Sequence, residues 1–307
     1  MKVGVALGSG GARGLAHIGV LRALDDLEIP IHCLSGSSMG AVVGAAYASS
    51  RSVEKIETLV RSFSWRSLIK LFLPTISREG LVGGDKIIEM LEENLGVTRF
   101  SELHLPLALE TTDLRTGDLW TLSEGDLITA IRASISIPLV FTPVRMDGKI
   151  LVDGGLVSPV PVKAARELGA DFVIGVNVLP RNRSWLSEAN LKKHFDPGES
   201  SRSRVLSRLF AQQRSEKTHK ERRDADLGFM MILTQTVGIS IAKLANFQLQ
   251  VEQPDLLLEP DTAEINIYDF HRGNEIIDKA YQLTLDIMHD KHDLINHKYK
   301  IKHIGDI

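Results

Sequence analysis

Apolar runs of strand length alternate with helix-like segments along the first 180 residues, and this alternation constrains the fold more than any other feature. Val3–Leu7 is an apolar run that ends at a glycine, as in a buried strand. Residues 15–27 then carry leucine and isoleucine at helical spacing, and Pro30 follows their end. A strand at 31–34 and a helix at 39–48 repeat this order. The sequence therefore predicts an α/β fold with a mostly parallel sheet and helices on both faces.

The dipeptide Asp147-Gly148 predicts a β-hairpin. It lies between two predicted strands, 141–146 and 149–152, and Asp-Gly is a strong signal for a two-residue turn. Hairpin strands are antiparallel, so the predicted sheet is mixed. Further strands are predicted at 105–110, 119–122, 172–178 and 255–259, and further helices at 53–63, 85–95, 127–133 and 274–288.

Composition excludes several classes of protein. The chain has 307 residues, of which 43% are apolar and 24% charged, and these are the proportions of a soluble globular protein. They argue against a disordered chain and against a protein with several membrane spans. The net charge of −3 provides no basic field for binding nucleic acid. Cys33, the single cysteine, cannot form an intrachain disulfide or a cysteine-based zinc site.

We expect one domain over residues 1–307, made of a core, an insertion and a closing part. The core is 2–178, the basic insertion 181–223, and the closing helices and last strand 227–290. No signal-peptide pattern follows Met1, and polar residues interrupt the longest apolar stretch, 228–249. We therefore expect a cytoplasmic protein without a spanning helix.

The insertion at 181–223 carries twelve lysine or arginine residues against five aspartate or glutamate residues, a local net charge of +7. One interpretation is a solvated loop region. The other is a short amphipathic, basic helix, because apolar residues recur at helical spacing between Arg204 and Arg214. A helix of this kind lies on an anionic membrane, so the second interpretation predicts peripheral membrane contact.

Ser38 lies at the centre of the pentapeptide Gly36-Ser37-Ser38-Met39-Gly40, between a predicted strand and a predicted helix. A G-x-S-x-G sequence in that context is typical of a nucleophile elbow, in which a sharp turn presents the serine. Gly36 and Gly40 leave room for the strand and the helix to pass closely, and the helix N-terminus favours negative charge that develops at Ser38. The alternative is a glycine-rich helix start at which the serine is only a cap.

A glycine-rich loop, Gly8-Ser9-Gly10-Gly11-Ala12-Arg13-Gly14, directly follows the first predicted strand. Such a loop directs free backbone N–H groups at an anion, which is either a nucleotide phosphate or the oxyanion of a tetrahedral intermediate. The G-x-G-x-x-G pattern of dinucleotide sites fails because Arg13 stands where a glycine is needed, and no P-loop pattern is present. The elbow downstream favours the oxyanion hole.

Asp153 follows the predicted strand at 149–152 and precedes Gly154 and Gly155. A carboxylate at a strand end, next to two glycines, suits a general base for Ser38. The alternative is an ordinary Asp-Gly turn without a chemical role.

The histidines do not form a recognisable site. A Ser-His-Asp hydrolase is the closest competing enzyme class, and His271 would be its base, but no motif surrounds His271. His17 lies inside the first predicted helix, where a packed histidine is the more common situation. The histidines near the C-terminus lack the spacing of metal ligands. We therefore expect no metal and no cofactor.

The glycine loop, the elbow at Ser38 and the Asp153-Gly154-Gly155 motif, taken in this order, resemble the patatin-like phospholipase family of bacterial type. Three further stretches are similar to the family: 13–21, 130–134, and 153–156 with Pro159 and Pro161 after it. The resemblance covers about residues 2–178 and leaves the insertion at 181–223 without a counterpart.

The resemblance implies a three-layer α/β/α sandwich and the hydrolysis of acyl esters of lipids. It implies Ser38 as the nucleophile and Asp153 as its base, in a dyad without a histidine. Gly10 and Gly11 would supply oxyanion N–H groups, with Arg13 supporting their loop. The expected substrate is a phospholipid, a lysophospholipid or another fatty acyl ester. A nucleotide- or phosphoryl-ligand-binding domain, a non-catalytic scaffold and an acyltransferase remain alternatives.

Overall fold

The computed structural model describes residues 1–62, 85–138, 140–180 and 219–290. These residues contain an eight-stranded sheet. Its strands are β1 (Val3–Leu7), β2 (Ile31–Ser37), β3 (Leu107–Asp113), β4 (Leu119–Leu122), β5 (Val144–Met146), β6 (Lys149–Asp153), β7 (Phe172–Val176) and β8 (Leu256–Leu258). Each strand of the series β5-β6-β3-β2-β1-β7-β8 is hydrogen-bonded to the next, and β4 also pairs with β3.

Helices connect most consecutive strands, whereas turns join β3 to β4 and β5 to β6. Within the described ranges they are α1 (Ala16–Asp26), α2 (Met39–Ser50), α3 (Val53–Ser62), α4 (Asp85–Leu95), α5 (Leu127–Ser134), α6 (Val162–Glu167), α7 (His219–Val251) and α8 (Gly273–Asp290). The chain forms two compact units, residues 1–181 with 241–307 and residues 182–240, and the whole sheet lies in the first. Over the described residues, we find no helix with the length and apolar character needed to cross a membrane.

The centre of the sheet is parallel. β1 pairs in parallel with β2 and β7, β2 with β3, and β7 with β8, whereas β4, β5 and β6 are antiparallel to their neighbours. All five residues of β1 are buried, as expected for a strand covered on both faces. The mixed, mostly parallel sheet confirms the predicted fold class.

Helices cover both faces of the sheet. A Cβ built on Gly4 would lie 3.4 Å from Ala165, so α6 packs on the face towards which Gly4 points. Leu7 points to the other face, because successive strand residues alternate. There its Cδ1 would lie 3.5 Å from a Cβ on Gly44 of α2. The arrangement is the three-layer sandwich that the family resemblance implies.

Several elements differ from the predictions. Helix α7 begins at His219, inside the predicted insertion 181–223, and β3 runs from Leu107 to Asp113 instead of over 105–110. β2 continues beyond the predicted 31–34 because its polar end is buried in the sandwich, where Ser35 Oγ donates to the Pro161 carbonyl at 2.7 Å. Helix α6 has no sequence signal, since it is six residues long and follows two prolines. The predicted strand at 141–146 is shortened to β5. The predicted basic helix between Arg204 and Arg214 lies outside the described residues.

Candidate active site

The ends of β2 and β6 meet along one edge of β3. Ser37 of β2 pairs with Glu110, and Asp153 of β6 pairs with Thr111, the next residue of β3. β4 occupies the opposite edge, so β2 and β6 share the remaining one. Since β2 is parallel to β3 and β6 is antiparallel, the two strands run towards each other. Their last residues therefore come together, and Ser38 follows directly.

Ser38 has a strained backbone at the start of α2. Its φ and ψ angles are 55° and −120°, a region that non-glycine residues rarely adopt. A Cβ on Gly36 would lie 2.6 Å from the Gly40 carbonyl oxygen, and a Cβ on Gly40 would overlap the Leu7 carbonyl. The two glycines of the pentapeptide therefore allow the close approach that a nucleophile elbow needs.

Ser38 and Asp153 are hydrogen-bonded to each other. Ser38 Oγ donates to Asp153 Oδ2 at 2.6 Å, and the two residues are only 5% and 4% exposed. The second carboxylate oxygen, Oδ1, accepts the Gly155 N–H at 2.8 Å. The Asp153 carbonyl accepts from Thr112 Oγ1 and its N–H donates to the Ser136 carbonyl. The carboxylate is thus fixed in position facing the hydroxyl.

Burial raises the pKa of Asp153 from its ordinary value to about 6, although the hydrogen bonds from Ser38 and Gly155 act in the opposite direction. A carboxylate with a pKa near 6 accepts a proton more readily than a solvated one and remains ionised at neutral pH. This combination suits a general base.

The glycine loop offers two backbone donors. The N–H groups of Gly8, Ser9 and Ala12 donate to carbonyl groups of neighbouring segments. The N–H groups of Gly10 and Gly11 have no acceptor among the residues that the structure describes. Free N–H groups of consecutive residues form the kind of site that binds an oxyanion.

The loop lies against both other motifs. A Cβ on Gly155 would be 2.8 Å from Ser9 Oγ, and a Cβ on Gly14 would be 2.5 Å from Met39 Cγ. The loop therefore touches the turn after Asp153 on one side and the start of α2 on the other. All three predicted motifs are brought together in one buried region.

Arg13 anchors the loop. Its side chain is 3% exposed, and Nε donates to the Ile265 carbonyl at 2.7 Å. The Ala12 N–H donates to the Ile267 carbonyl in the same segment. These bonds attach the loop to the stretch after β8.

Ser134 and Met39 belong to the site although the sequence analysis gives them no role. The Ser38 N–H donates to Ser134 Oγ at 3.1 Å, and Ser134 Oγ donates to the Glu110 carbonyl. Ser134 therefore ties the elbow to β3 from 96 residues away, and no local pattern signals such a contact. The Met39 N–H, in the first turn of α2 and next to Ser38, has no acceptor among the described residues, and the G-x-S-x-G pattern itself signals this donor.

The two histidines considered above differ in environment. His17 is fully buried, and its Nε2–H donates to the Gly8 carbonyl at 2.7 Å. Burial lowers the pKa of His17 to about 4, so the ring is neutral and supports the glycine loop. His271 is exposed on a turn at Phe270–Arg272. Over the described ranges, we find no group of three or more histidine, cysteine or acidic residues arranged to hold a metal.

The chain is similar to known proteins over most of its length. The family model for patatin-like phospholipases matches residues 5–166. An uncharacterized NTE family protein of Mycobacterium bovis is 31% identical, over 90% of this chain and 88% of its own.

Eukaryotic relatives match a smaller part. A lysophospholipase, nte1, of Neurospora crassa is 31% identical over 58% of this chain and 12% of its own. Patatin-like phospholipase domain-containing protein 7 of Rattus norvegicus is 32% identical over 60% of this chain and 14% of its own. Among solved structures, VipD from Legionella pneumophila matches with a TM-score of 0.46 and 14% identity, covering 99% of this chain and 81% of its own.

The family match covers more than half of the chain, and the mycobacterial relative is similar over nearly all of it. This chain belongs to the patatin-like phospholipase family and is an enzyme of the phospholipase and esterase class.

Proposed function

We propose that the protein hydrolyses fatty acyl esters of lipids, such as phospholipids or lysophospholipids, through a Ser38–Asp153 dyad and an acyl-enzyme. The observation that carries the proposal is the 2.6 Å hydrogen bond from Ser38 Oγ to Asp153 Oδ2, inside a buried elbow. The names of the fungal relatives, which are lysophospholipases, support the substrate class.

The first half of the reaction forms the acyl-enzyme. Ser38 Oγ attacks the ester carbonyl carbon while its proton passes to Asp153 Oδ2. The carbonyl oxygen becomes an oxyanion that accepts from the N–H groups of Gly10 and Gly11, with Met39 as a further donor. Asp153 then returns the proton to the leaving alcohol oxygen as the ester C–O bond breaks.

The second half releases the fatty acid. Water takes the place of the alcohol, gives a proton to Asp153 Oδ2 and attacks the acyl carbon. The second tetrahedral intermediate collapses, Ser38 Oγ leaves, and the proton on Asp153 returns to it. The product is a free carboxylic acid, and the enzyme is regenerated.

A dyad is chemically sufficient here because the base and the donors are fixed before substrate binds. Asp153 is held by three backbone or hydroxyl partners besides Ser38, so little reorganisation accompanies proton transfer. Each oxyanion donor of this type contributes about 3 kcal/mol to lowering the barrier. His17 only supports the loop, and no metal or cofactor enters the proposed steps.

A substrate panel with purified protein tests the proposal. We expect hydrolysis of p-nitrophenyl esters, rising with acyl length because each buried methylene adds about 0.8 kcal/mol of binding energy. Phospholipids and lysophospholipids complete the panel, and Ser38→Ala serves as the blank. A fluorophosphonate probe should label Ser38, whereas a nucleotide-binding domain or a scaffold would stay unlabelled. Alcohol acceptors added to the assay separate a hydrolase from an acyltransferase.

The basic segment at 181–223 remains our proposal for peripheral membrane contact. Charge reversal at Arg204, Arg208 and Arg214 should weaken sedimentation with anionic vesicles. Vesicle binding by the unmodified protein should also weaken as salt is added, because salt screens the attraction between charges. Binding that is unaffected by the reversal would leave the segment as an ordinary insertion.

A further inference from the structure

The short segment 134–136 is hydrogen-bonded to the backbone of both members of the proposed dyad. At one end, Ser134 Oγ accepts the Ser38 N–H at 3.1 Å. At the other end, the Ser136 carbonyl accepts the Asp153 N–H at 3.1 Å. We call residues 134–136 the brace. Because its two ends are close in the chain, the brace sets the spacing between the two backbones that carry the hydroxyl and the carboxylate.

The brace is itself held in place by Arg132. The Arg132 side chain is 3% exposed, its Nη1 donates to Ser136 Oγ at 2.6 Å, and its Nη2 donates to the Thr142 carbonyl at 3.0 Å. Ser136 Oγ in turn donates to the Arg132 carbonyl at 2.8 Å. Ser134 and Ser136 are fully buried, so water does not compete for these hydrogen bonds. The bonds therefore fix the brace relative to α5.

Ser134 Oγ lies between two groups that a regular parallel sheet would bond directly. The Leu34 N–H donates to the Pro106 carbonyl at 2.9 Å, and alternate residues of a parallel strand donate to the same neighbour. The register of β2 on β3 therefore places the Ser38 N–H opposite the Glu110 carbonyl. The Ser38 N–H donates to Ser134 Oγ instead, and Ser134 Oγ donates to the Glu110 carbonyl at 2.8 Å. One hydroxyl is thus inserted into the ladder where β2 ends.

The strained backbone of Ser38 is held from both sides. A carbonyl oxygen only accepts, so the proton of the Ser134 hydroxyl points at Glu110 and a lone pair faces the Ser38 N–H. The φ angle of Ser38 is 55°, which is unfavourable for a residue other than glycine. On the helix side, the Ser38 carbonyl accepts the N–H groups of Ala41 and Val42. Ser134 provides the corresponding attachment on the strand side.

We propose that Ser134 is a positioning residue that holds Ser38 Oγ at hydrogen-bond distance from Asp153 Oδ2. This role rests on the proposed hydrolase function of the dyad. Without the Ser134 hydroxyl, the buried Ser38 N–H would lose its partner, which is unfavourable. The next acceptor along the ladder is the Glu110 carbonyl, and bonding to it directly would draw the elbow towards β3. Ser38 Oγ would then leave its position facing the carboxylate.

Two substitutions of Ser134 in the full-length protein test this role. Ser134→Ala removes the hydroxyl, and a nucleophile displaced by about 1 Å loses about 10²-fold in rate. We expect kcat and kcat/KM for p-nitrophenyl esters to fall equally by that factor, since the bond is needed in the transition state and not for substrate binding. Labelling of Ser38 by a fluorophosphonate should slow to a similar extent. Ser134→Cys fills the same space, but a thiol is a weak donor and acceptor, so kcat should fall about tenfold or more without a cavity.

Ser35→Ala is the matched control. Ser35 is fully buried like Ser134 and lies on β2, the strand that leads to Ser38. Its Oγ donates to the Pro161 carbonyl at 2.7 Å, so the substitution also removes one buried hydrogen bond. We expect Ser35→Ala and Ser134→Ala to lower the melting temperature by similar amounts, whereas only Ser134→Ala lowers kcat.

Two kinetic outcomes would overturn the positioning role. The first is a folded Ser134→Ala or Ser134→Cys protein that keeps the kcat of the unmodified protein. The second is a Ser35→Ala protein that loses as much kcat as Ser134→Ala, because the loss would then follow from stability alone. Should Ser134→Ala fail to fold, Ser134→Cys decides, since it leaves no cavity.

Failure of the positioning role and failure of the proposed hydrolase function give different results. If Ser134 has no such role, the unmodified protein and Ser134→Ala cleave esters and are labelled equally. If the hydrolase function is wrong, neither protein cleaves esters, and crystal structures still test the role. In Ser134→Ala the distance from Ser38 Oγ to Asp153 Oδ2 should increase from 2.6 Å to more than about 3 Å. An unchanged distance would overturn the role.

Discussion

Ser38 Oγ lies 2.6 Å from Asp153 Oδ2, although 115 residues separate the two in the chain. They meet because β2 and β6 end against the same edge of β3, at neighbouring register positions. The geometry of the pair is therefore set by strand pairing in a buried sheet. A hydroxyl and a carboxylate held in this way need little rearrangement to exchange a proton.

Removing either member of the pair should abolish turnover without unfolding the protein. We expect Ser38→Ala and Asp153→Asn each to lower kcat by about 10³-fold or more. The double variant should be little worse than either single one, because the two residues act as a unit in the proposed mechanism. Steady-state ester hydrolysis measures this, with circular dichroism to confirm folding. Ser37→Ala is the matched control, since Ser37 Oγ finds no hydrogen-bond partner within the described residues. Most activity surviving in Asp153→Asn would contradict the dyad.

Activity should fall on the acidic side of neutrality. In the proposed mechanism Asp153 must be ionised to accept the Ser38 proton, and burial raises the pKa of Asp153 to about 6. With a neutral ester, we expect kcat/KM to drop about tenfold for each pH unit below that value and to level off above it. Glu110→Gln removes the other buried carboxyl group with a strongly raised pKa, and it should leave the pH profile of kcat/KM unchanged. An acidic limb that moves with Glu110→Gln would contradict the assignment to Asp153.

Glu110 should make the fold less stable as pH rises. Burial raises the pKa of this carboxyl to about 7 from an ordinary value of 4.5. Between these values the folded state binds more protons than the unfolded state, so the free energy of unfolding decreases with increasing pH. Above pH 7, Glu110→Gln should be more stable than the unmodified protein by up to about 3 kcal/mol, with no difference near pH 4.

Urea unfolding at both pH values checks the Glu110 prediction. The raised pKa of Asp153 makes the free energy of unfolding decrease with pH in both proteins. The difference in free energy of unfolding between the two proteins therefore isolates the effect of Glu110. The amide oxygen of Gln can still accept the Thr121 hydroxyl that now donates to Glu110 Oε2. Glu124→Gln, at an exposed position, is the control and should change nothing. An equal difference at both pH values would show that packing, not ionisation, is responsible.

No histidine should be essential for catalysis. His17→Gln should lower the free energy of unfolding by about 1–3 kcal/mol, because the buried ring donates to the Gly8 carbonyl, yet the folded variant should keep its activity. The pKa of His17 is lowered to about 4, so the contribution of the histidine to stability should be lost as pH falls from about 6.5 towards 4. His271→Gln is the exposed control. A folded but inactive His17→Gln or His271→Gln protein would contradict this prediction and support a histidine as the catalytic base.

The same substitution at two glycines of α2 should have opposite effects. A Cβ on Gly40 would overlap the Leu7 carbonyl, so Gly40→Ala should displace the elbow and abolish activity. One turn later, a Cβ on Gly44 would make ordinary contacts at 3.4 and 3.5 Å, and alanine favours a helix over glycine by about 1 kcal/mol. Gly44→Ala should therefore raise the melting temperature and leave kcat unchanged. Similar melting and activity for both variants would contradict the close packing at the elbow.

Local patterns in the sequence predict much of the fold. Strand β1, the Asp147-Gly148 turn and the helix at Asp85–Leu95 all have signals within a few residues. The G-x-S-x-G and glycine-loop motifs are also local, because a sharp turn or a row of free N–H groups depends on adjacent residues. These features need no knowledge of the rest of the chain.

Other features arise only from tertiary structure. The last residues of β2 and the helix α6 lack a local signal, and they exist because burial in the sandwich stabilises them. The bond from the Ser38 N–H to Ser134 Oγ also joins distant segments.

The sequence by itself determined the sharp G-x-S-x-G turn at Ser38, the glycine loop and the alternation of strands and helices, since each follows from the conformational preferences of neighbouring residues. The tertiary structure decided that Asp153 faces Ser38 and that burial raises its pKa to about 6. Strand register and desolvation are the physical reasons. Both depend on which distant segments pack together, and hydrophobic burial of the whole sheet selects that packing.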